Sequence, residues 1–72
     1  MDNQEEISIG KISRQDLLEA RRSIASTMSK CEKALDKLTP GKSQHTLTVR
    51  RVRAFRVALA LIDRELEGSH DP

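Results

Sequence analysis

Few residues of this sequence could do chemistry, and the clearest candidate motif is incomplete. Gly41, Lys42 and Ser43 match the end of a phosphate-binding loop, whose full pattern requires another glycine five positions before Gly41. That position is Asp36, inside a helical pattern, and no strand precedes it. We therefore interpret these three residues as a turn followed by a helix start.

Histidine and cysteine are the other candidates for catalysis or metal binding. His45 and His70 are the two histidines, and they are predicted at opposite ends of one helix, whereas a metal site needs several ligands that converge. Cys31 lies among apolar residues of another helix, which favours a small buried hydrophobic side chain over a nucleophile or ligand. The sequence therefore predicts no catalytic residues, no cofactor and no metal, and we expect a protein that is not an enzyme.

Length and composition allow one small domain. The chain has 72 residues, of which 36% are hydrophobic and 33% charged, with a net charge of +2 and one cysteine. One cysteine excludes an intramolecular disulfide framework, and no run approaches the ~20 apolar residues that span a membrane. The first residues are acidic, unlike a secretory signal. We expect a cytoplasmic protein with no membrane association.

Two long helices joined by a short turn are the elements that must position these residues. Ser13, followed three residues later by Asp16, is a variant of the helix capping box, and Gly68 fits a helix end. Pro40 and Gly41 interrupt the helical pattern. The sequence predicts a flexible N-terminal arm (1–12), a helical hairpin (13–67) composed of helix 14–38, turn 39–43 and helix 44–67, and a C-terminal tail (68–72).

Apolar residues recur along both helices at steps of three and four, the period of a coiled-coil seam, except for one step of seven between Leu17 and Ile24. The helix 1 seam is Leu17, Ile24, Met28, Cys31, Leu35 and Leu38, and the helix 2 seam is Val52, Phe55, Leu59, Ile62 and Leu66. Ser43 and Thr46 are both candidate N-caps for helix 2. Because the connection is short, we expect an all-α, antiparallel two-helix hairpin.

Helix 2 carries more apolar surface than one partner helix can cover. Opposite its seam runs a second stripe, composed of Ala54, Val57, Ala58 and Leu61. We expect this stripe to form an interface in a homodimer that assembles as a four-helix bundle, which is the common remedy for a small core. Docking of another protein's helix is one alternative. Folding back of the N-terminal arm, through Ile7, Ile9 and Ile12, is another.

The basic residues of helix 2 precede its acidic residues. A basic patch is predicted near the turn, composed of Lys42, Arg50, Arg51, Arg53 and Arg56. Its partner is interpreted in two ways: the acidic end of a second, antiparallel copy, or the phosphates of a nucleic acid. We favour the first, because the chain has one aromatic residue, Phe55, which belongs to the seam and cannot stack on bases.

Arg21 occupies a position in the helix 1 seam where an apolar residue is expected. It could pair with Asp63, Glu65 or Glu67 of helix 2 and fix the register of the helices. Alternatively, it lies at the edge of the seam and extends into water. Together these features predict a small protein–protein interaction or regulatory module that acts through helix surfaces, with a nucleic-acid-associated protein as the alternative.

Overall fold

The protein is a hairpin of two long helices. The computed structural model describes residues 9–68, which form a 3₁₀ turn at Ile9–Lys11, helix α1 over Arg14–Leu35 and helix α2 over Ser43–Gly68, with no strand in that range. The two helices pack against each other along their lengths. The prediction of an all-α hairpin is therefore confirmed. Most of the predicted N-terminal arm (1–8) and C-terminal tail (69–72) lies outside the described residues.

The start of α1 is fixed by a capping box. The Asp16 N–H donates to Ser13 Oγ at 3.0 Å, and the Ser13 N–H donates to Asp16 Oδ2 at 3.0 Å. These bonds satisfy two backbone donors that the first helical turn leaves without partners. The Asp16 carboxylate also lies at the positive end of the helix dipole. The predicted capping box is therefore confirmed.

Helix α1 ends at Leu35, three residues before the predicted end. Residues 36–38 continue as a tighter helical turn. In this turn, each N–H donates to the carbonyl three residues back, at 2.9–3.2 Å. Such tighter bonds are common in the last turn of a helix. Pro40 then disfavours a helical conformation at Thr39.

The turn between the helices follows directly from its sequence. The Lys42 N–H donates to the Thr39 carbonyl at 3.1 Å, which closes a four-residue turn. Pro40 is its second residue, and Gly41 is its third, with φ of 91°. A type II turn requires positive φ at its third residue, which glycine adopts without strain, and it favours proline at its second, because proline fixes φ near −65°. The turn reverses the chain and makes the helices neighbours.

Helix α2 begins one residue earlier than predicted, and its N-cap differs from both candidates. Its first backbone bond runs from the Thr46 N–H to the Lys42 carbonyl at 3.1 Å. Lys42 therefore stands at the N-cap position, while Ser43 and Thr46 lie inside the first turn. The turn therefore leads directly into the helix, with Lys42 as the last residue of the one and the N-cap of the other.

The predicted seams line the contact between α1 and α2. Every seam residue is half-buried except Val52, which is buried. The helix 2 seam also extends toward the turn through Thr48 and His45, at the same steps of four and three. Thr48 is buried, and its hydroxyl donates to the Gln44 carbonyl at 2.8 Å, which satisfies its polar group. The seam is therefore one heptad longer than its apolar residues indicate.

Two ion pairs across the hairpin show its direction. Arg21 pairs with Asp63, and Glu32 pairs with Arg56. The higher number on α1 goes with the lower number on α2, as antiparallel helices require. The first pair lies toward the open end of the hairpin and the second toward the turn.

The interior of the hairpin is thin. Among the described residues, Val52 is the one buried hydrophobic side chain, with 5% of its surface exposed, and none reaches full burial. Two helices that touch along one face leave each seam residue open at the sides. A core of this size contributes little hydrophobic free energy against the entropy of ordering the chain.

Candidate interaction surface

The second stripe is exposed along most of its length. Val57 and Leu61 each keep 56% of their surface exposed, and Ala54 is also exposed. Ala58 is half-buried, because it lies closer to the contact with α1. Ala54, Val57 and Leu61 follow one another at steps of three and four, so they occupy one face of α2. Within residues 9–68, that face is an apolar ridge that the packing of α1 against α2 leaves exposed.

Three further apolar side chains are exposed that the sequence analysis did not single out. Leu47 lies seven residues before Ala54 and extends the same face of α2 toward the turn. Val49 and Leu18 are exposed elsewhere, on α2 and α1 respectively. The exposure of Val49 and Leu18 follows from the narrowness of the hairpin, since side chains just beside a seam stay open to water. Leu47 therefore lengthens the apolar ridge of the second stripe.

A groove connects the second stripe to the start of α1. It encloses about 210 Å³ and is lined by Ile12, Leu17, Leu61, Ile62 and Glu65. Ile12 is half-buried, so the chain just before α1 borders one end of the stripe. The side chains of Ile7 and Ile9, which the sequence suggested could also cover it, lie outside the described part.

The basic patch divides into a free part and a paired part. Arg50, Arg51 and Arg53 are exposed, and within residues 9–68 none of them has a carboxylate within 4.0 Å. Arg56 donates from Nη2 to Glu32 Oε2 at 3.0 Å, which ties it to α1. Lys42 is exposed at the turn. Three arginines within one turn of α2 thus present positive charge to solvent.

The free arginines point around the helix in different directions. Arg50 borders a groove near the turn together with Leu47, on the side of the second stripe. Arg53 borders a different groove, together with Glu32 and Arg56, at the side of the hairpin. Arg50 therefore borders the apolar ridge beside Leu47, whereas Arg53, four residues before Val57, lies at the edge of the ridge that faces Glu32 and Arg56.

Arg21 forms a bidentate ion pair with Asp63. Its Nε donates to Asp63 Oδ1 at 2.6 Å, and its Nη2 donates to Asp63 Oδ2 at 3.2 Å. The hydrogen bond from Arg21 lowers the pKa of the Asp63 carboxyl, and the same bond and the carboxylate's charge raise the pKa of Arg21. Both side chains are nearly half exposed. Arg21 therefore lies at the edge of the seam and pairs across the hairpin with Asp63, one of the three acids predicted for it.

The remaining reactive residues are dispersed. Cys31 is free and half-buried in the seam, and His45 is half-buried at the start of α2, while His70 lies outside the described residues. Residues 9–68 contain no group of three His, Cys, Asp or Glu side chains placed to hold a metal ion. Neither helix, as far as it is described, is long and apolar enough to cross a membrane.

Comparison with known proteins assigns no family to this chain. No protein-family model, no curated protein and no solved structure matches it. The surface of the hairpin is therefore the basis on which a function can be inferred.

Proposed function

We propose that this protein is a small, non-enzymatic interaction or regulatory module that works as a homodimer, with the second stripe as its interface. The observation that supports this proposal is the difference in exposure between the two apolar faces of α2. Val52 is the single buried hydrophobic side chain of the described residues, whereas Val57 and Leu61 on the opposite face are 56% exposed. Over residues 57–62, α2 is apolar nearly all round, and a helical segment of this kind is normally buried on most sides.

A four-helix bundle of two hairpins covers both faces of α2 and requires only a second copy of the chain. Two hairpins that meet through their second stripes bury Val57 and Leu61 of each copy, which is the isologous contact of a two-fold dimer. Each side chain then removes about half of its apolar surface from water, which is worth roughly 1 kcal/mol per side chain. The partner in this proposal is a second copy of the chain, and the compartment is the reducing cytoplasm, which suits a single free Cys31.

Protein concentration provides the first test of the dimer. If folding is coupled to association, the midpoint of thermal unfolding rises with protein concentration. Leu61→Glu places a charge in the proposed interface, so this variant should lose the concentration dependence. Leu18→Glu is the matched control, because Leu18 is an exposed leucine on α1, and this variant should keep it.

Two results would contradict the proposal. One is a wild-type midpoint that stays constant over a hundredfold range of concentration. The other is an equal effect of the two glutamate substitutions on association. If the stripe instead binds a different protein, the wild-type chain and both variants should all be monomeric.

Nucleic-acid association is the second candidate function, and the free arginines favour it. Arg50, Arg51 and Arg53 have no acidic partner among the described residues, so their charge is available to phosphates. Phe55, the chain's one aromatic residue, is half-buried in the seam, so the contact would rest on charge alone. Binding of duplex DNA that weakens steeply between low and moderate salt would support this function, and no binding at low salt would exclude it.

A further inference from the structure

We infer that the second copy lies antiparallel across the second stripe, so that Arg50 of each chain meets Glu65 of the other. This inference rests on the proposed homodimer and adds the orientation of the partner and the residues that select it. It follows from the positions of Arg50 and Glu65 at opposite ends of one exposed face of α2, together with the size of the side chains between them.

The two charged residues flank the apolar ridge on the same face of α2. Arg50 borders the groove that contains Leu47, at the turn end of the second stripe. Glu65 borders the groove that contains Leu61, at the other end. Neither side chain forms an ion pair within residues 9–68. Each is therefore free to pair with another molecule.

The spacing of these residues suits a two-fold axis between Val57 and Ala58. Arg50 and Glu65 are equally far from that point, at opposite ends of about 22 Å of helix. An axis there places Arg50 of one chain level with Glu65 of the other. It also places Ala54 level with Leu61, so that a small side chain faces a large one and the helices can approach closely.

A parallel arrangement is disfavoured by the same residues. It would set Arg50 against its own copy and Glu65 against its own copy, which brings like charges together at both ends. It would also set Leu61 against Leu61 and Ala54 against Ala54, which leaves a gap beside a crowded contact. The antiparallel arrangement replaces two repulsive contacts by two attractive ones.

Charge reversal tests the pairing directly, with the dimer dissociation constant of the full chain as the readout. Arg50→Glu alone and Glu65→Arg alone should each weaken the dimer about tenfold, because two symmetry-related pairs become repulsive. The double variant R50E/E65R restores opposite charges and should return to within about threefold of the wild-type constant. High salt should reduce all of these differences.

Matched controls separate this pairing from a general effect of charge. Arg53→Glu changes the net charge as Arg50→Glu does, but Arg53 borders the side groove with Glu32 and Arg56. Glu67→Arg is the corresponding control for Glu65→Arg, because it is two residues farther along α2 and about 160° around it. Both controls should leave the dissociation constant within about twofold. Helix content by circular dichroism shows that each variant is folded.

The outcomes distinguish the orientation from the dimer itself. Weakening by each single reversal and recovery in the double variant support the antiparallel pairing. A dimer that persists without any recovery in the double variant overturns the pairing and leaves the proposed function intact. A wild-type chain that is monomeric at every concentration overturns both. A further outcome concerns duplex DNA. If Arg50→Glu and Arg53→Glu reduce DNA binding equally and leave the dimer dissociation constant unchanged, the arginines bind phosphates and the pairing is overturned.

Discussion

Replacing Val52 by alanine should destabilise the hairpin more than the same change at Val57. Val52 is 5% exposed at the contact between the helices, whereas Val57 is 56% exposed on the second stripe. Both sites are valines of α2, and they differ in how much of the side chain the rest of the hairpin covers. Any difference between Val52→Ala and Val57→Ala therefore reports the packing around each residue.

The magnitude follows from these exposures. Removing two methyl groups from the buried site costs about 1.6 kcal/mol of transfer free energy, and the cavity left behind adds to it. The higher helix propensity of alanine returns about 0.5 kcal/mol. We expect a net loss of about 2 kcal/mol for Val52→Ala, which is a large part of the ~7 kcal/mol typical of a chain this short. At Val57 of a single hairpin, the smaller loss of transfer free energy and the gain in helix propensity nearly cancel.

Urea unfolding followed by far-ultraviolet circular dichroism measures both effects. Val52→Ala should lower the free energy of unfolding at every protein concentration. Val57→Ala should act mainly on association, weakening the dimer on the order of tenfold because its remaining surface is buried by the second copy. A Val52→Ala variant as stable as the wild-type protein would refute the assignment of Val52 to the centre of the helix contact.

Two further predictions concern the turn and the cross-helix ion pair. Gly41→Ala should cost about 1 kcal/mol of stability, because φ of 91° is strained for alanine, whereas Gly10→Ala should change the unfolding free energy little; equal effects in urea titrations would contradict this. Because its partner lowers the pKa of Asp63 in the folded state, the stabilisation from its pair with Arg21 is present above the ordinary carboxyl pKa of about 4 and is lost as pH falls through the lowered value. Between pH 5 and pH 2 the wild-type protein should therefore lose more stability than Asp63→Asn, and parallel losses in the two proteins would show that the pair contributes nothing.

Local sequence signals were sufficient for much of the hairpin. The capping box at Ser13 and the turn at Pro40 and Gly41 depend on a few adjacent residues, so their structures follow from residue type. The seams depend on period alone, and the structure places them at the helix contact. Of the three acids considered for Arg21, choosing Asp63 required the actual register of the helices, which periodicity alone does not fix.

The features that sequence reasoning missed depend on tertiary geometry or on polar residues in apolar roles. Thr48 is buried because its hydroxyl bonds within its own helix, which a search for apolar side chains overlooks. Arg56 was grouped with the other arginines, yet only the packing of the helices brings it to Glu32. Ala58 belongs to the second stripe by angle, but it is half-buried because α1 lies close to that side of α2.

The mass of the chain in solution tests the central proposal most directly. Sedimentation equilibrium of the wild-type protein, over concentrations from well below to well above micromolar, measures that mass without any substitution. The proposed interface predicts a mass that rises to twice that of one chain and then stays constant, as a closed two-fold dimer requires. A mass of one chain throughout, with the helices folded, would contradict the assignment of the second stripe as a homodimer interface.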